Sequence, residues 1–274
     1  MSVSRKLDIL KDSLGRSERM PLVFLGHGSP MNAIEDTAYN RAWTDLGKSL
    51  PRPKAILVVS AHWMTRETTL VDVSKMPRTI HDFYGFPQSL YHEQYPAAGA
   101  PDLAREVTTL LASHHAQEDD TWGLDHGAWA VLKFLYPEAD VPVFQVSIDM
   151  SRDLDYQLSV GSALSELRDR GVLILGSGNV VHNLRAMRPG GAPQDFAVAF
   201  DALFAERLSD RDFAPLVDRE GLGALLTAAH PSVDHYLPAL TIAGASNEAD
   251  ELTFMTDAID LASISMRSFV FHAR

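Results

Sequence analysis

The chain has 274 residues, no cysteine and a formal net charge of −12, with 46% hydrophobic and 22% charged residues. That length and balance suit one ordinary globular α/β domain. Without thiols there are no disulfides, zinc-thiolate sites or iron–sulfur clusters, so a transition metal has only imidazole and carboxylate to hold it, and the acidity argues against nucleic-acid or anionic-membrane partners.

At the start, charge interrupts every apolar stretch, so no signal-peptide core is present and the cytoplasm is the expected compartment. Residues 1–20 read as a helical extension ahead of one domain over 21–274. Leu22–Leu25 is the first apolar, strand-like run, and it ends in Gly26-His27-Gly-Ser-Pro; Ala55–Val59 is the second and ends in Ser-Ala-His62-Trp. His81 lies in Thr79-Ile-His-Asp-Phe-Tyr-Gly-Phe-Pro, a loop or a lid. Pro101 to about Ser113 carries Leu103, Val107, Leu110 and Leu111 at helical spacing, and His114-His115 at its end suit the helix dipole. His126 lies in a glycine-containing loop between Trp122 and Trp129, which reads either as an aromatic-lined pocket or as core.

Val141–Val146 is the third strand. A helix from Arg152 to about Arg170, capped by Gly171, leads to the fourth, Val172–Leu175. A Gly-Ser-Gly loop then precedes His182; it is too short, and lacks the lysine, for a phosphate loop. Arg188–Pro193 is a loop. Helices are expected over Phe196–Leu208 and Val233–Ala243, the latter opening on His235 with Ser232 or Asp234 as cap, and Ser268–Phe271 reads as an edge or closing strand. His92, His230 and His272 have no evident partners. Near-continuous apolar strands alternating with amphipathic helices give an α/β fold, a single domain with a central mostly parallel sheet flanked by helices.

Ligands of open α/β sheets bind at the carboxyl ends of the strands. A lone histidine there is as often structural as functional, but His27, His62 and His182 all follow strands, and two imidazoles on one edge are two-thirds of a facial metal triad. His235, on the residues alone, reads more readily as a polar residue in a first helical turn than as a ligand.

Six motifs occur in order: Leu25-Gly-His-Gly-Ser-Pro30-Met, Ser60-Ala-His-Trp63, Thr79-Ile-His-Asp-Phe83, Leu124-Asp-His-Gly127, Gly178-Asn-Val-Val-His-Asn183 and Asp234-His-Tyr-Leu-Pro238. Together, from about residue 20 onward, they resemble the class III (protocatechuate 4,5-dioxygenase β-subunit-like) extradiol ring-cleavage dioxygenases, and more narrowly their 4,5-DOPA extradiol dioxygenase subgroup. The resemblance implies that 21–274 is the catalytic domain. It also implies that His27, His62 and His235 are metal ligands, with His235 standing where better-known class III enzymes have glutamate. His182 matches an acid/base histidine that is also a fourth ligand in zinc-loaded members, and His126 a histidine beside the oxygen and substrate site. One departure is Tyr95-Pro-Ala-Ala-Gly, where relatives tend to carry a second proline.

The expected cofactor is one non-haem divalent metal, Fe(II) for catalysis, with Zn²⁺ compatible with an all-imidazole set. The expected partners are a small aromatic diol (DOPA-like) and O₂, and a homo-oligomer is allowed. The reaction would open the ring outside the two hydroxyls to a muconic semialdehyde-type product. Two alternatives stay open here: a zinc hydrolase of a small aromatic ester or amide, and a metal-binding protein without turnover.

Overall fold

A computed structural model describes residues 19–273. The helical reading of the N-terminal extension lies outside the described residues, apart from Arg19 and Met20, which are not helical.

Six strands form the central sheet: β1 (Leu22–Gly26), β2 (Ala55–Ser60), β3 (Val143–Gln145), β4 (Val172–Gly178), β5 (Glu251–Thr256) and β6 (Ser268–His272). Their order is β3-β2-β4-β1-β6-β5. The first four are mutually parallel, β6 runs antiparallel to β1, and β5 is antiparallel to β6. The mostly parallel α/β sheet read from the sequence is the sheet of the structure.

Strand residues alternate between two cores because side chains point to opposite faces with period two. Leu22, Phe24, Leu57, Val59, Val172 and Ile174 enter one core, covered by the helices Leu154–Leu164, Asp195–Ser209 and Leu237–Ala245. Val23, Leu25, Ile56, Val58, Leu173 and Leu175 enter the other, covered by Ala38–Ser49 and His126–Leu135. Each fully buried Leu or Phe contributes roughly 1.5–3 kcal/mol by leaving water. Both faces being dry explains why these strands read as unbroken apolar runs.

Several expectations need correcting. The C-terminal run is not at the edge: β6 is covered by β5, whose residues are all exposed or half-buried and so carried no apolar run to detect. Gly176-Ser-Gly178 is not a loop but the last part of β4. The helix expected over Val233–Ala243 starts at Leu237 with no side-chain cap, so neither Ser232 nor Asp234 caps it. The helices Ala38–Ser49, His126–Leu135 and Arg219–Ala229 were not anticipated. The first buries only Asn40, Trp43 and Leu46, and the second is buried at eight of its ten residues, so neither shows a clear apolar stripe.

Candidate metal centre

Strands β2, β4 and β1 are adjacent and parallel, so their carboxyl ends share one edge. His27 follows β1 directly, its backbone N–H bonded to Gly178 O at 3.1 Å; His62 follows β2 after Ala61, whose N–H meets Ser177 O at 3.0 Å. His235 arrives from a loop across the end of β4. A Cβ on Gly178 would lie 2.2 Å from His235 O, and Asn179 N–H donates to that same oxygen at 2.9 Å. Only glycine lets that backbone come so close.

One ligand nitrogen from each of His27, His62 and His235 lies within 4.8 Å of the others. The Nε2 atoms of His27 and His62 are 3.2 Å apart. The partners on the other side of each ring assign the tautomers. Ser177 Oγ donates to Gly127 O at 2.5 Å, so it can only accept from His27 Nδ1, 3.0 Å away. His62 Nδ1 faces Asp82 Oδ2 at 3.1 Å, and His235 Nδ1 donates to Asp234 Oδ1. Each Nδ1 therefore holds the proton and each Nε2 turns a lone pair inward. Three lone pairs facing one another across a buried space repel unless a cation lies among them, which is the donor set of a tetrahedral or facial metal site.

No carboxylate belongs to this trio; Asp82 and Asp234 sit one layer out, on the far nitrogens of His62 and His235. The negative charge that a two-His, one-carboxylate site keeps on the metal is placed behind the imidazoles, where it raises their basicity and fixes their rings. Burial lowers His27 and His235 well below the usual histidine range, and neighbouring imidazoles add to it. Burial would also lower His62, but Asp82, 3.1 Å from its Nδ1, together with the charges of Asp125 and Asp234, outweighs that and raises it. Burial would raise the Asp82 carboxyl, yet His126 and His62 hold it below the usual carboxylate range. Sequence reasoning missed Asp82, Asp234 and Ser177. The first two adjoin motif histidines, His81 and His235, which was the available signal.

If Ser177 sets the tautomer of His27, Ser177→Ala should weaken metal affinity about 10- to 100-fold, as loss of an outer partner does elsewhere. Competitive chelator titration would measure it, and unchanged affinity would remove Ser177 from this role.

The other candidates fall into place around the trio. His126 is not in a loop: it is the first residue of the helix capped by the Asp125 side chain, and its ring centroid is 3.9 Å from that of His62. Gly127 lets that helix start so close, since a Cβ there would lie 2.5 Å from Ser60 Oγ. His126 Nδ1 is 3.0 Å from Asp82 Oδ1, out of line for a hydrogen bond; that oxygen takes the His126 backbone N–H at 2.9 Å. His182 stacks on His235 at 3.5 Å between centroids and 6° between planes. It groups with Asp234 and His235 rather than with His27 and His62.

A cavity of about 350 Å³ opens against His62, His126, His182 and His235, ample for one aromatic ring with a short side chain. Its aromatic wall is Phe86; Trp129 is fully buried and Trp122 stacks on Trp63, so neither tryptophan lines it. His81 bonds Glu93 O at 3.0 Å and packs on Trp129, outside the cavity.

His230 is structural: buried, with its Nε2 donating to Val180 O at 2.8 Å. Burial pushes it down to about 4, against the opposing bond to Val180 and the charge of Asp234. Its unfolded value is about 6.5, so between those two values the unfolded chain takes up a proton that the folded chain refuses. Its contribution to stability is therefore intact above about pH 6.5 and declines as pH falls toward 4, by up to about 3 kcal/mol. Urea denaturation of metal-free protein at pH 7.5 and pH 5 should show the fall, and His230→Phe should make it shallower. An unaltered pH slope in that variant would refute the assignment.

Residues 21–271 match the family model described as the catalytic LigB subunit of aromatic ring-opening dioxygenase. An Escherichia coli (strain K12) protein named 4,5-DOPA dioxygenase extradiol is 45% identical over 95% of this chain and 97% of its own. A Beta vulgaris protein of the same name is 36% identical over 90% of this chain and 95% of its own. A crystal structure of an uncharacterized protein from E. coli K12 superposes with a TM-score of 0.80 at 39% identity, covering 92% of this chain and all of that one. The chain belongs to the LigB family of aromatic ring-opening dioxygenases and is an extradiol dioxygenase. Enzymes of this type use a non-haem metal. Among the described residues, no helix is long and apolar enough to cross a membrane.

Proposed function

We propose that His27, His62 and His235 hold a single Fe(II) through their Nε2 atoms and that the domain over 21–274 opens the ring of a DOPA-like catechol with O₂, giving a muconic semialdehyde-type product. The observation that carries this is the set of three inward lone pairs, each fixed by a partner on Nδ1, beside a cavity of aromatic size. When bound there, iron supplies the electron exchange between a catecholate and O₂ that no side chain can perform. Zn²⁺ would fit the same nitrogens without redox chemistry.

The chain's own groups account for the protons. Ring opening needs one proton removed from the second phenol and one delivered to the oxygen side. Burial lowers His182 to about 3, so its imidazole is neutral at physiological pH and starts as the acceptor. His126, on the cavity wall and also lowered by burial and by His62, is the second proton carrier, with Asp82 beside it to balance a charge. In this reading His182 serves proton transfer rather than the metal. Phe86, Ile264 and Met266 keep water from the reacting ring.

The test is aerobic assay of Fe(II)-loaded protein with L-DOPA and a panel of catechols. O₂ uptake with a yellow product is expected, with none from Zn²⁺-loaded protein. No uptake across the panel, or ester or amide cleavage by the Zn²⁺ form without oxygen, would overturn it.

A further inference from the structure

If the diol end of the substrate lies against the histidines, its side chain must meet the rest of the cavity wall. That wall is nearly all apolar: Pro30, Leu184, Met187 and Leu261 are there with the residues named above. Apart from the histidines, its one ionisable side chain is Asp260, exposed at the cavity's open side on the short hairpin Ile259–Asp260 with Ile264–Ser265. Among the described lining residues there is no lysine or arginine; Arg185 and Arg188, on the neighbouring segment, are exposed and lie outside the lining. The half-buried Tyr39 lies near enough to Asp260 that burial and this carboxylate together raise its phenol above the usual tyrosine range. Ser29, the other polar side chain of the lining, already accepts from Met31 N–H through its hydroxyl.

We infer that Asp260, the one carboxylate of the cavity wall, is a specificity-determining residue that binds the ammonium group of the substrate's side chain, so that catechols with a cationic side chain are preferred over anionic ones. The inference rests on the catechol reading of the cavity. An ammonium near one carboxylate and no competing cation gains Coulomb energy, whereas a carboxylate in the same place meets a like charge. The chain's net charge of −12 biases encounter in the same direction. The pair sits at an exposed position, so its effect is modest: an exposed ion pair is worth at most about fivefold in affinity.

Three catechols of matched size separate the outcomes: dopamine (cationic), 4-ethylcatechol (neutral) and 3,4-dihydroxyphenylacetate (anionic). Their Kd values on the full-length, Zn²⁺-loaded protein can be read by calorimetry, and their KM values on the Fe(II) form. Dopamine should bind more tightly than 4-ethylcatechol by up to about fivefold, and the anion more weakly than either. Asp260→Asn should collapse the dopamine-to-ethylcatechol ratio toward one, and Asp260→Lys should reverse the order of dopamine and the anion. If 4-ethylcatechol binds but wild type shows no charge order, or the order survives in both variants, Asp260 is not the determinant. If none of the three binds, the catechol reading of the cavity falls and this inference with it.

Discussion

Alanine at His235 is expected to empty the metal site and to lower kcat/KM by more than about 10²-fold. Losing only an outer partner of a ligand costs 10–100-fold, and this change removes one of the three proposed donors. The two that remain, His27 and His62, face each other at 3.2 Å and cannot by themselves define a facial site. The variant should still fold, because it is the backbone carbonyl of residue 235 that bonds Asn179 N–H and packs on Gly178, and alanine keeps that carbonyl. Metal content by elemental analysis should fall from about one per chain to near zero with unchanged circular dichroism. Full metal content in His235→Ala would remove His235 from the ligand set.

Glutamine at His182 should behave differently. It is expected to retain the metal and to bind catechol, while kcat falls about 10²- to 10⁴-fold, the usual worth of a positioned acid/base. The distinction follows from geometry: His182 lies flat on His235 rather than converging with His27 and His62. Glutamine fills similar space and keeps polar atoms but cannot cycle a proton near neutrality. Single-turnover measurement with pre-bound catechol isolates the step. Loss of metal in His182→Gln would make it a fourth ligand, and an unaffected kcat would leave it without either role.

How much of this was legible in the sequence differs residue by residue. His27 and His62 follow runs whose apolar character is continuous because both faces of the sheet are dry, so strand, edge and side-chain placement could be read together. His235 could not be placed that way. Its position depends on a glycine over fifty residues earlier, Gly178, leaving room for its backbone, and that is a contact rather than a pattern. His126 read as a loop residue because the helix it starts is apolar around nearly its whole circumference. The carboxylates were the largest omission. Asp82 meets His62 and His126 across separations of at least 20 residues, and no periodicity announces such partners. The family resemblance supplied His235 as the third candidate ligand, whereas the charge placed behind the imidazoles emerged only from the structure.

The most direct test of the metal centre is a crystal of Fe(II)-loaded protein, measured above and below the iron absorption edge. One anomalous peak is expected, at about 2.1 Å, a typical metal–imidazole distance, from the Nε2 atoms of His27, His62 and His235, with the side toward the cavity free for substrate. A peak elsewhere, or one bound through Nδ1 of any of these three rings, would contradict the account.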